Sequence, residues 1–78
     1  MQFNEKEVSN LYKRIGLKVK EIREGNKMTQ LDLSLEMGYK SVSLVSAAEL
    51  CSDKKHFNIE HLYKISKILN VDMANFFD

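Results

Sequence analysis

Apolar residues recur at steps of three and four along most of the chain, and the strict apolar–polar alternation of a half-buried strand is absent. The first stripe is Val8, Leu11 with Tyr12, Ile15, Val19 and Ile22, which predicts an amphipathic helix over 4–24, stopped at Gly25-Asn26. Gly16 falls inside it at a cost of about 1 kcal/mol against alanine, which implies that another backbone packs closely there. Thr29 is a good N-cap for a second helix over 30–37, with Asp32 where a carboxylate favours the helix start and Gly38 as the stop. Leu33 and Met37 face inward with Met28. After the tight turn Gly38-Tyr39-Lys40, Ser41 caps a third helix over 42–50 with Val45 and Ala48 inward. Residues 51–56 are polar and read as a loop. Asn58 caps a fourth helix with Glu60 in its first turn, an inward stripe of Ile59, Leu62, Ile65 and Leu69, and Asn70 as a left-handed stop. Asp72 caps a last short turn, and at least one of Phe76 and Phe77 docks on the core. The expectation is an all-α fold of five helices without internal repeats.

Length and composition narrow the class. The 78 residues are expected to form one domain over 1–78. A domain of this size buries about 60% of the surface its unfolded chain exposes, so its core is marginal and dimerisation would add to it. With no proline, three glycines, 44% hydrophobic and 29% charged residues, the chain is neither a disordered tail nor a low-complexity linker. The single cysteine, Cys51, excludes an internal disulfide and a cysteine-based zinc site and suits a reducing cytoplasm. No apolar run approaches the roughly 18 residues of a bilayer span, and the polar start, Met1 to Glu7, does not read as a signal peptide. His61 has no second metal ligand at useful spacing and reads as a surface histidine. No nucleophile–base set, glycine-rich phosphate loop or carboxylate pair is present, so neither an enzyme nor a cofactor is expected.

The formal net charge is +1, but its distribution is uneven. Residues 1–28 carry seven Lys/Arg against four Asp/Glu, residues 29–49 only Lys40 against three acids, and residues 50–78 four against four. Any nucleic-acid partner must therefore be held by a few placed cations and not by a broad basic face.

Four segments in order resemble the Cro/phage-repressor (XRE) helix-turn-helix family, over residues 15–77. Residues 15–24, with Ile15, Gly16, Leu17, Val19 and Ile22, resemble its first helix. Met28-Thr29-Gln30 followed by Leu33, Met37 and Gly38 resembles its second. Ser43, Val45, Ser46 and Glu49 resemble its third, and residues 62–71 its fourth; residues 72–77 resemble its closing segment. The turn 39–41 is one residue longer than the commonest form, Ser34 stands at the helix crossing where alanine is usual, and Leu50-Cys51 replaces an Arg-Gly. The resemblance implies a lambda-repressor-like DNA-binding fold with an extended N-terminal helix, the motif lying over 29–50 and the extension over 1–14.

The same resemblance implies a mechanism. The third helix enters the major groove of double-stranded DNA, and Ser41, Val42, Ser43, Ser46 and Ala47 form the reading surface. Serine hydroxyls discriminate weakly, Val42 and Ala47 suit thymine methyl groups, and no side chain there makes a bidentate base contact, so DNA shape would carry much of the specificity. Thr29 and Gln30 at the second helix start, Lys40 in the turn, and Lys54, Lys55 and His56 after the third helix would meet phosphates. The family implies a homodimer acting as a repressor or activator, with Val71, Phe76 and Phe77, or Phe3, Val8 and Tyr12, as interface candidates. Leu17, Leu31 and Leu35 would form an apolar patch, expected to be covered by the chain's own N-terminal extension. The alternative is a protein-binding module, an antitoxin or adaptor, on the same fold.

Overall fold

The computed structural model describes residues 2–78; Met1, the first residue of the expected extension, lies outside them. Four α-helices follow one another: α1 (Glu5–Gly25), α2 (Gln30–Glu36), α3 (Ser43–Leu50) and α4 (Ile59–Leu69). A 3-10 turn, Ser52–Lys54, leaves α3, and a 3-10 segment, Met73–Phe77, closes the chain. No strand occurs among the described residues. The expected fifth helix is thus the closing 3-10 segment, tightened by the Asn75 N–H donating to Asp72 O three residues back.

The helix starts follow from local side chains. Asn4 Oδ1 accepts from the Lys6 N–H at the start of α1. Thr29 and Asp32 form a reciprocal capping box on α2, and Asn58 and His61 form another on α4. Ser41 is not the N-cap of α3: Val42 holds that position, α3 begins at Ser43, and Ser41 Oγ accepts from the Ser43 N–H only at 3.3 Å. The extra residue in the turn is what pushes the helix start along. The stops use left-handed residues. Gly38 (φ +97) ends α2 and Asn70 (φ +57) ends α4 as expected. At the end of α1 the left-handed residue is Lys27, while Gly25 stays helical; Met28 N–H donates to Arg23 O and Lys27 N–H to Glu24 O.

One core holds the helices together: Ile15, Val19, Leu33, Met37, Val45, Ala48, Phe57, Leu62, Ile65, Leu69 and Phe76. Each α1 turn that reaches this core contributes at the expected spacing, and Gly16 lets the α1 backbone touch that of α3, as its cost in the helix implied. Phe76 is buried, which removes it from the interface candidates, while Phe77 stays exposed. Ile59 does not join the α4 stripe. It is 67% exposed, because in the first turn it lies beyond the elements that cover the rest of the helix; Ser66 takes the fourth inward place. The N-terminal extension does not cover the leucines either: Leu17, Leu31 and Leu35 are all about half exposed or more. The extension continues α1 as part of the same helix and lies instead along the loop after α3.

Ser34 sits fully buried on α2, and its hydroxyl has no hydrogen-bond partner among the described residues. A buried unsatisfied hydroxyl costs about 1–3 kcal/mol, and alanine fits the same space. Ser34→Ala should therefore raise the unfolding free energy by about 1 kcal/mol in a urea titration followed by circular dichroism. An unchanged or lower midpoint would show that the hydroxyl is satisfied in solution.

Candidate nucleic-acid interface

The helix-turn-helix is locked from behind by a buried ion pair. Arg23 Nε donates to Glu49 Oε2 at 2.7 Å and Nη2 to Oε1 at 3.0 Å, with both residues 5% exposed or less. Arg23 Nη1 also donates to Met28 O, and Gln30 Nε2 donates to Glu49 Oε1 at 2.9 Å. The hydrogen bonds to Glu49 hold the guanidinium pKa above its ordinary value despite burial. One network therefore joins the end of α1, the start of α2 and the end of α3, and fixes the α2–α3 angle. Arg23 and Glu49 were not expected to pair. The signal was present: Arg23 follows Val19, and Glu49 follows Val45, each at the next inward position of its helix.

The expected site residues fall into three groups. Lys40, Ser41, Ser43, Lys54 and Lys55 come together with Tyr39, Leu44 and His56 around an open groove beside the N-terminus of α3. Val42, the N-cap of α3, and Ser46 and Ala47 on the helix lie outside this groove; Val42 is exposed and the other two are half-buried. Thr29 and Gln30 stand apart at the start of α2, with the Thr29 hydroxyl accepting the Asp32 N–H and the Gln30 amide held by Glu49. The Asp32 carboxyl is kept below the usual carboxylate range by the Thr29 N–H and then by its hydroxyl.

The groove's far wall is a constrained loop. Cys51, Asp53 and Lys54 all adopt left-handed conformations that non-glycine residues rarely visit. Such a loop persists only when its surroundings fix it. Ser52 Oγ and Cys51 Sγ donate back to the Ala47 and Ala48 carbonyls, Phe57 is buried in the core, and the His56 ring stacks on Tyr12 with centroids 3.6 Å apart. Burial pushes the Cys51 thiol pKa up, against a smaller pull from Lys13, so a reactive thiolate is not favoured there.

His61 does more than the surface role expected of it. Its Nδ1 accepts the Asn58 N–H at 3.0 Å, which requires the neutral ring, and its edge meets the Phe57 and Tyr39 rings. Burial lowers its pKa, opposed by Glu60 and aided by Lys64 and His56. The folded pKa thus lies below the unfolded value of about 6.5. The stability this group contributes is complete above that value and is lost as pH falls through the folded pKa. Wild type should lose more stability between pH 7.5 and pH 5 than His61→Gln, which keeps a capping-box partner without a titrating ring. Equal losses in urea titrations would show that His61 is not the cause.

Among the described residues no group of side chains could hold a metal ion, and no helix is long and apolar enough to cross a membrane. A family model described as helix-turn-helix matches residues 19–76, which covers the last third of α1 and the whole of α2, α3 and α4. The curated proteins and the solved structures give no match.

Proposed function

Because the chain belongs to the Cro/phage-repressor (XRE) helix-turn-helix family, a DNA-binding family, we propose that it is a sequence-specific transcription regulator that binds a near-palindromic operator as a dimer. The observation that supports this reading most is the groove that gathers Lys40, Lys54 and Lys55 with two serine hydroxyls along one flank of α3. With α3 in the major groove, Ser43, Ser46 and Ala47 would face base edges, Val42 and Ala47 being suited to thymine methyls. The three lysines would take the backbone phosphates on that flank, and Gln30, steadied by Glu49, keeps a second amide hydrogen for a phosphate on the other. Two copies related by a two-fold axis would read half-sites roughly 34 Å apart. The second copy would dock on Leu11, Ile59 and Phe77, exposed apolar side chains that rim a groove floored by Ile15, Phe57 and Leu62.

Selection from a randomised duplex pool by fluorescence anisotropy and sequencing tests the reading. A two-fold symmetric motif should be enriched, its affinity should fall steeply between 50 and 200 mM salt, and Ser43→Ala with Ser46→Ala should weaken the enrichment. Ile59→Asp should shift the protein to monomer in sedimentation and abolish the symmetry of the motif. No enrichment from a folded protein would reject the regulator reading. The exposed pair Leu31 and Leu35 on α2 then favours the second reading, a protein-binding module, in which Leu31→Asp with Leu35→Asp abolishes partner capture.

A further inference from the structure

The loop that carries Lys54, Lys55 and His56 is a ridge with a groove on each side. One groove flanks α3 and belongs to the site already described. The other runs between this ridge and the N-terminal half of α1, and is lined by Ser9, Tyr12 and Lys13 on the helix side. We propose that this second groove seats the DNA backbone beyond the half-site, so that the N-terminal extension of α1 lengthens the footprint of the helix-turn-helix. The proposal rests on the regulator reading and assigns the extension a role in it.

Several observations carry it. The two grooves share the same three residues as a common wall, so the second continues the first and is not a separate patch. Tyr12 stacks on His56 at 3.6 Å, which pins the ridge to α1 and fixes the spacing between Lys13 and the loop lysines. Lys13, Lys54 and Lys55 are all exposed, and none is in an ion pair among the described residues. Two hydroxyls, on Ser9 and Tyr12, add neutral donors, and Glu5 is the single carboxylate, at the outer end. Such a channel matches a polyanion backbone, with three cations against one anion. The stretch 5–14 holds no fully buried residue: Tyr12 packs partly against the core, while Ser9 and Lys13 stay exposed. At 1.5 Å per residue it is about 15 Å long, which equals the axial rise of roughly four phosphates of one strand.

The test compares two duplexes for the wild-type protein: the selected motif alone, and the same motif with about five base pairs of fixed sequence added at each end. The longer duplex should bind more tightly. For each added phosphate contact its advantage should shrink about threefold between 50 and 200 mM salt. Lys13→Ala should abolish the advantage of the longer duplex and leave binding to the shorter one unchanged, while Lys13→Arg should restore it. Tyr12→Ala should weaken both duplexes, because the shared ridge loses its clamp, while Tyr12→Phe, which keeps the clamp and loses the hydroxyl, should bind the shorter duplex as wild type does and lose only part of the advantage of the longer one. Equal affinity and salt slope on the two duplexes would overturn the proposal while leaving the regulator reading intact. So would an equal loss on both duplexes for Lys13→Ala. Binding to neither duplex would overturn the regulator reading and the second groove with it.

Discussion

Glu49→Ala should cost about 3–5 kcal/mol of stability, since it strands the buried Arg23 guanidinium and leaves the Gln30 amide without its acceptor. For 78 residues the whole unfolding free energy is expected to be about 4–12 kcal/mol, so this single change brings the protein close to unfolding. The loss measures an uncompensated charge and not the net worth of the pair. Taking two charges out of water offsets most of their attraction, and a double replacement Arg23→Met with Glu49→Leu should be near neutral or stabilising. The double variant should nonetheless bind DNA less well, because Gln30 loses the group that steadies it and the α2–α3 angle loses its polar lock. Urea titrations of the two single variants and the double variant close the cycle. A loss below about 1 kcal/mol for Glu49→Ala would mean that water reaches the pair in solution.

Gly16→Ala should destabilise by about 3 kcal/mol, the upper end of what overpacking usually costs. A Cβ at this position would lie 2.6 Å from Glu49 O and 2.8 Å from Ala48 O. Both are backbone atoms, which cannot rotate aside, so α1 and α3 must move apart. The displaced backbone belongs to Glu49 itself, so the strain passes into the ion pair and the two effects will not add. Gly25→Ala is the control. Nothing lies within 4 Å of a Cβ there, and alanine should add about 0.4–1 kcal/mol by restricting the unfolded chain. Thermal melts of both variants check the contrast. If both were stabilised, the close approach of the helices would have to be softer than it looks.

The starts of α2 and α4 were legible because their chemistry is local, whereas Ser41 stands one residue before the cap of α3. Thr29 and Asn58 cap their helices with oxygens three residues from the N–H they serve, and the sequence shows that spacing directly. Stops at Gly38 and Asn70 were legible for a similar reason, as these residue types enter the left-handed region readily. Lys27 was not, since a lysine goes there only when the packing of its neighbours compels it. The Arg23–Glu49 pair lay on the inward stripes, yet each charge read alone belongs in water, and only the facing of two helices makes the pair. Ile59 had the right spacing and the wrong place, one turn past the covered part of α4. The site divides in the same way. The residues around α3 could be named from their order, whereas the Tyr12–His56 stack and the ridge it holds join segments with no local relation. Leu17, Leu31 and Leu35 lack the expected cover because the first half of α1 runs along the loop after α3.

The exposed first half of α1 also sets how the molecule melts. Residues 5–14 rest on their own hydrogen bonds, the aromatic stack and the partial packing of Tyr12 against the core, and an isolated stretch of that length is marginal in water. The helix therefore has two stabilities along one axis, a weak outer part and a part that unfolds only with the core. Ellipticity will begin to fall well below the calorimetric transition, and a two-state fit to helicity alone will return too small an enthalpy.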